Sequence, residues 1–166
     1  MGAKIISVTE LREIRRNYNM NGKTMAATSG CFDLIHMGHV MYLREAAAYG
    51  DCLAVFLNND DSVRKLKGDK RPIVPQEERA YLLSGLEMVD YVCLFGEETP
   101  CAVLAEVQPD FFIKGGDYQG MYIPEMDTIH AYGGHVEYVH LAEGHSTTNL
   151  IQKIVEIYQQ QGERKL

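Results

Sequence analysis

The chain reads as one doubly wound α/β domain with a mainly parallel sheet of about five strands, and three observations predict it. Short apolar runs alternate with helical patterns over most of the 166 residues, the order that builds strand–helix–strand units. One run, Cys52-Leu53-Ala54-Val55-Phe56-Leu57, is apolar without a break, as a strand covered on both faces must be. The chemically unusual segments follow the runs directly, so a parallel sheet would gather them at the carboxyl ends of its strands, where such folds bind ligands.

Each element has a local reason. Ser7 and Glu10 have capping-box spacing and start a helix over 8–20, which the turn pair Asn21-Gly22 ends. Met25 to Ser29 is the first strand, and Val40 to Ala48 reads as the next helix. Gly50-Asp51 stops that helix before the Cys52–Leu57 strand. A loop carrying Arg64, Lys65, Lys67, Lys70 and Arg71 follows, and Pro75 with Glu77 and Glu78 suits a helix start. Tyr91–Phe95 is a strand, Thr99-Pro100 opens a helix to about Val107, and Phe111–Ile113 is a strand. A short helix over Glu125–Tyr132, a strand over His135–Val139 and a last helix from Ser146 complete the order. That last helix carries Leu150, Ile151, Ile154, Val155 and Tyr158 on one apolar face. This is a Rossmann-like arrangement, read as one domain over 1–166 with its core over 24–160.

Composition narrows the function. Apolar residues are 46% and charged residues 23%, ordinary for a globular protein. A formal charge of −7 argues against nucleic acid or an anionic membrane as the main partner. The basic run at 64–71 is the local exception, and its position after a strand suits phosphate contact better than a solvated loop. Cys31, Cys52, Cys93 and Cys101 lack C-x-x-C spacing, so neither a disulfide framework nor a zinc site is indicated. With no leader-like segment and no long apolar span, a reducing cytoplasm is the expected compartment.

The segment Gly30-Cys31-Phe32-Asp33-Leu34-Ile35-His36-Met37-Gly38-His39 sits where a strand turns into a helix. A helix N-terminus offers free N–H groups and partial positive charge to a phosphate, and Gly38 lets that phosphate approach the backbone. His36 and His39 can add donors that strengthen as charge builds on a phosphoryl group. The plain alternative is one capping and one buried histidine. Further on, Lys114-Gly115-Gly116-Asp117-Tyr118 permits close approach to a planar base, with Asp117 available to a ribose or a metal. Ser146-Thr147-Thr148 brings hydroxyls to another helix start. A simple turn and simple capping are the alternatives for these two.

The histidine segment resembles the H-x-G-H signature (G-[TC]-F-D-x-x-H-x-G-H) of the cytidylyltransferase-like nucleotidyltransferases. Asn58 to Arg64, Leu66-Lys67-Gly68, Arg71-Pro72, Glu78-Arg79, Pro109-Asp110, Lys114 to Tyr118 and Ser146 to Asn149 extend the likeness. It is closest to the heptose 1-phosphate adenylyltransferase branch. Cytidylyltransferases carry R-T-x-G-I-S-T-T before the last helix, whereas this chain has Leu141-Ala142-Glu143-Gly144-His145-Ser146-Thr147-Thr148, without that arginine. Met37 and His145 depart from the branch, which usually has a small residue and a cysteine there.

The resemblance implies transfer of AMP from ATP to a sugar 1-phosphate, in a form without the sugar kinase domain of the bifunctional synthase. His36, His39 and Lys67 would be catalytic. Gly30, Cys31, Phe32, Asp33, Gly38, Lys114, Gly115, Asp117, Ser146, Thr147 and Thr148 would bind the nucleotide. Asn58, Asp60 and Arg79 would meet the acceptor, with a structural brace as the other role for Arg79. Mg²⁺ is expected on the triphosphate, without a dedicated protein cage. The expected assembly is a homo-oligomer, a dimer first. The alternatives are a cytidylyltransferase using CTP with glycerol 3-phosphate or a related phosphate, and a nucleotide-binding sensor.

Overall fold

The computed structural model describes residues 4–140, 144 and 146–163. In chain order they form β1 (Lys4–Ile5), α1 (Val8–Met20), β2 (Met25–Gly30), α2 (Met37–Ala47), β3 (Cys52–Asn58), α3 (Asp60–Lys67) and α4 (Gln76–Ser84). These are followed by β4 (Tyr91–Phe95), α5 (Cys101–Val107), β5 (Phe111–Gly115), a 3₁₀ turn (Gly116–Tyr118), α6 (Pro124–Ala131), β6 (His135–Val139) and α7 (Thr147–Glu163). The expected α/β class holds.

All strand pairings are parallel, in the order β1-β4-β3-β2-β5-β6. Alternate strand residues feed two cores, because successive side chains point to opposite faces. Leu53, Val55 and Leu57 of β3 pack with Tyr42, Leu43 and Ala46 of α2 and with Ala80 and Leu83 of α4. Cys52, Ala54 and Phe56 of the same strand pack on the other face with Leu11 of α1, Val103 and Leu104 of α5, and Ile129 of α6. The domain is therefore wound on both sides of its sheet.

The chain runs outward from β2 through β3 to β4, then returns to β5 on the other side of β2. Ala26 pairs with Phe111 and Thr28 with Ile113, so the switch in direction lies between β2 and β5. A buried cluster ties that junction together. The Tyr42 hydroxyl donates to the Ile113 carbonyl at 2.8 Å and lies 2.5 Å from Thr28 Oγ1. The loops after these two strands carry the histidine segment and the Lys114 segment.

Three expectations need correction. The sheet has six strands rather than about five, because Lys4 and Ile5 pair with Tyr91 and Val92 at its edge. Two residues are too few to show a period. The basic run is helical through Lys67, and its loop begins at Gly68. Arg64, Lys65 and Lys67 then occupy the last turn of α3, where cations suit the helix dipole. The apolar face of α7 lies mostly open to solvent: Leu150, Ile154, Val155 and Tyr158 are exposed, and Ile151 is half-buried.

Candidate active site

The histidine segment folds as its sequence suggests, with one addition. Helix α2 begins at Met37, so His36 is its N-cap residue and Gly38 and His39 lie in its first turn. Phe32 adopts φ 44, in the left-handed region where a bulky side chain is strained. Burial of its ring holds it there, at 5% exposure. A Cβ on Gly30 would stand 2.9 Å from that ring, which accounts for glycine at that position. The ring leans on His39, centroids 5.2 Å apart, and His39 stacks on His36 with centroids 3.8 Å apart. Burial, with a smaller contribution from His36, pushes the His39 imidazole down to about 4. It is therefore neutral at neutral pH, and its buried Nδ1 finds no hydrogen-bond partner among the described residues.

Asp33 lies beneath this arrangement and fastens the next loop to it. It is 1% exposed and accepts from the backbone N–H groups of Ile73 and Val74 at 2.8 and 2.9 Å, and from Arg71. Burial alone would raise its pKa, but these hydrogen bonds outweigh it and hold the carboxyl below its ordinary value. Asp33 thus orients the loops, and its oxygens are occupied by protein donors.

Arg79 is fully buried and bonded on several sides. Its Nε donates to the Val74 carbonyl at 2.9 Å, and Nη1 donates to the carbonyls of Cys31 at 2.6 Å and Asn58 at 2.9 Å. Nη2 meets Asp60 at 2.7 Å. This corrects the expectation of an acceptor ligand in favour of the brace, because the guanidinium has no exposed surface to offer a substrate. Asp60 shares that pairing, and Asn58 Nδ2 donates to Ser62 Oγ at 2.7 Å. Asn58 still lines the cavity, and Asp60 does not border it.

The remaining residues converge on two contiguous cavities of about 430 Å³ each at the switch between β2 and β5. Gly30, Cys31, Phe32, His39, Lys67, Lys114 and Thr147 border both. His36, Gly38, Gly115, Asp117 and Ser146 border the first, and Asp33, Arg71 and Thr148 the second. Ser146 Oγ accepts from the Asn149 N–H at 3.0 Å and so also caps α7. Burial raises the Cys31 thiol despite nearby Lys67, Arg79 and Arg71, so it is no thiolate nucleophile.

The cavity cations differ in their neutralisation. Arg71 pairs with Asp33, and Lys114 pairs with Glu125 at 2.8 Å. Among the described residues, Lys67 borders the cavity without a carboxylate partner. No local signal in the sequence marks Glu125, which the structure places in the first turn of α6. His145 and Leu141 lie outside the described residues.

This sheet and this junction of loops define an α/β domain of the nucleotidyltransferase type. The chain belongs to the cytidylyltransferase-like family, whose model matches residues 27–153. It is 43% identical over 158 residues to the bifunctional protein HldE of Syntrophotalea carbinolica, and 45% identical over 156 residues to that of Geobacter metallireducens. The matches cover 95% and 94% of this chain but 32% of each relative, so the chain spans about a third of their length. A lipopolysaccharide core biosynthesis protein from Thermoplasma volcanium matches in structure with TM-score 0.59 and 31% identity, over 73% of this chain and 98% of that one. Pantoate-beta-alanine ligase from Francisella tularensis shares the fold, with TM-score 0.57 and 12% identity, over 83% and 67% of the two chains.

Proposed function

We propose that this domain transfers AMP from ATP to a sugar 1-phosphate, with heptose 1-phosphate as the acceptor, and releases pyrophosphate. One observation carries the reading: the stacked His36 and His39 at the start of α2 border the same cavity as the ammonium of Lys67, which has no carboxylate partner among the described residues. The likeness of Lys114–Tyr118 and Ser146–Asn149 to the heptose branch supports the choice of substrates. So does the similarity to a protein of lipopolysaccharide core biosynthesis.

In the proposed reaction an oxygen of the acceptor phosphate attacks the α-phosphorus in line. The new P–O bond forms as the bond to the bridging α,β-oxygen breaks, and pyrophosphate carries away the electron pair. The nucleophile is already an anion, so no general base is needed. The protein positions two anions and offsets the charge on the transferring group. His39, kept neutral by burial, serves as an N–H donor, with His36 beside it. Lys67 bridges the attacking and leaving phosphates. Asp33 and Arg79 hold the loops that present these groups.

Mg²⁺ belongs to the proposal as an ion carried by the triphosphate. Among the described residues no group of three His, Cys, Asp or Glu side chains could cage a metal, so phosphate oxygens would supply its ligands. A homodimer is also proposed, to be checked by light scattering. No helix among the described residues is long and apolar enough to cross a membrane.

Pyrophosphate release across a grid of ATP, CTP, GTP and UTP against heptose 1-phosphate, other sugar 1-phosphates and glycerol 3-phosphate tests the reading. Turnover with ATP and heptose 1-phosphate above all other pairs is expected. Preference for CTP with glycerol 3-phosphate would establish the cytidylyltransferase alternative, and nucleotide binding without any productive pair would establish the sensor.

A further inference from the structure

The second lysine of the cavity is in a different electrostatic state from Lys67. Lys114 and Phe112 are two apart on β5 and point to the same face, toward α6. There the Lys114 ammonium meets Glu125 at 2.8 Å, with side-chain exposures of 14% and 6%. It also lies 5.3 Å from the Phe112 ring centroid and 5.2 Å from that of Tyr118. A buried charge of this kind requires its partner. With one N–H committed to Glu125, Lys114 keeps further N–H groups for a ligand, but the pair as a whole is neutral. A phosphate approaching Lys114 would also approach the Glu125 carboxylate behind it. An uncharged acceptor atom would gain the hydrogen bond without that repulsion.

We propose that Glu125 is a positioning residue, which holds Lys114 as a charge-compensated donor so that Lys114 reads an uncharged oxygen or nitrogen of the nucleoside rather than a phosphate. The proposal rests on the nucleotidyltransferase reading and deepens it. It divides the cavity into a nucleoside end at Lys114, Asp117 and Tyr118 and a phosphate end at His36, His39 and Lys67. Glu125 touches no substrate in this account and acts through Lys114.

The test separates the two ends by binding adenosine, cytidine and inorganic tripolyphosphate to the intact protein, measured by calorimetry. Lys114→Met should weaken nucleoside binding by ~10-fold or more, the size of a hydrogen bond from a charged donor, and leave tripolyphosphate within about twofold. Lys67→Ala should do the reverse. Glu125→Gln should weaken nucleoside binding and tighten tripolyphosphate, because the ammonium is no longer compensated and turns to the phosphates. The paired variant Lys114→Met with Glu125→Leu removes both buried charges, so neither is left unpaired, and should bind nucleoside no better than Lys114→Met alone. Equal loss of tripolyphosphate in the Lys114 and Lys67 variants would overturn the proposal. So would unchanged binding in Glu125→Gln, or a wild-type protein that binds tripolyphosphate but neither nucleoside. Tighter binding of cytidine than adenosine would instead sink the ATP reading, while the contrast between nucleoside and tripolyphosphate would still decide the role of Glu125.

Discussion

The rings of His36 and His39 stack with their planes 24° apart, so a proton gained by either ring is felt at once by the other. Both stand at the start of α2, one as its N-cap and one in its first turn. Their proposed task is to donate to phosphate oxygens as negative charge develops. His36→Ala and His39→Ala should each lower kcat by at least ~10²-fold, the size of losing an oxyanion donor, with a much smaller change in nucleotide affinity. Steady-state rates beside equilibrium binding check this, and near-wild-type turnover in either variant would remove the mechanism.

The same stack has a pH signature in stability. His39 sits at about 4 in the folded protein, against an ordinary value of 6.5. Below pH 6.5 the unfolded chain takes up a proton that the folded protein refuses, so the stabilisation is complete above 6.5 and is lost as pH falls toward 4. Between pH 7 and pH 5 this amounts to at most about 2 kcal/mol. Urea unfolding of the wild type and His39→Gln at both pH values should show a smaller loss in the variant. An identical loss would mean that His39 titrates normally.

Lys67→Ala should depress turnover far more than Lys70→Ala. Lys67 borders the cavity beside the histidines, whereas Lys70 borders neither cavity lobe and can contribute only screened attraction. Equal losses in the two kcat values would show that the segment acts as a general field.

Arg79→Met should unfold readily. It leaves the Asp60 carboxylate without its partner and the carbonyls of Cys31, Asn58 and Val74 without their donor. A loss of ~3 kcal/mol or more is expected, roughly 10 °C in Tm for a domain of this size. Thermal unfolding checks it. A raised KM for the acceptor at unchanged Tm would instead restore Arg79 as a substrate ligand.

ATP should be preferred over CTP by at least ~10-fold in kcat/KM, about 1.4 kcal/mol of transition-state discrimination. The reason is the missing arginine at Leu141, where cytidylyltransferases place a cation for their nucleotide. Heptose 1-phosphate should be a better acceptor than glycerol 3-phosphate. Competition assays measure both, and a reversed nucleotide preference would leave the fold intact while changing the substrate class.

Much of this architecture is legible because it rests on local patterns. The unbroken Cys52–Leu57 run and the Ser7–Glu10 capping box each carry their own physical reason, and both appear in the structure as read. The strand-to-helix turn of the histidine segment was legible for the same reason, since it lies within ten consecutive residues. What escaped depends on distant partners. Strand β1 exists because Lys4 and Ile5 find the edge of β4, which two residues cannot announce. Arg79 looks like any helix cation until Cys31, Asn58 and Val74 close around it. Glu125 has the outward signature of a helix-start acid, and only the fold brings it to Lys114.

The junction of β2 with β5 also sets an order of assembly. Thr28 and Ile113 are 85 positions apart, so the crevice exists only after a long loop closure, the slow kind of step in folding. The sheet's earlier strands can pair among neighbours before that closure, but the floor beneath His39 and Lys114 cannot. A nucleotide that touches both sides must leave before the seam opens, so it acts as a clasp on the native state. Saturating nucleotide should therefore retard unfolding as well as shift its equilibrium, which unfolding rates with and without ligand would check.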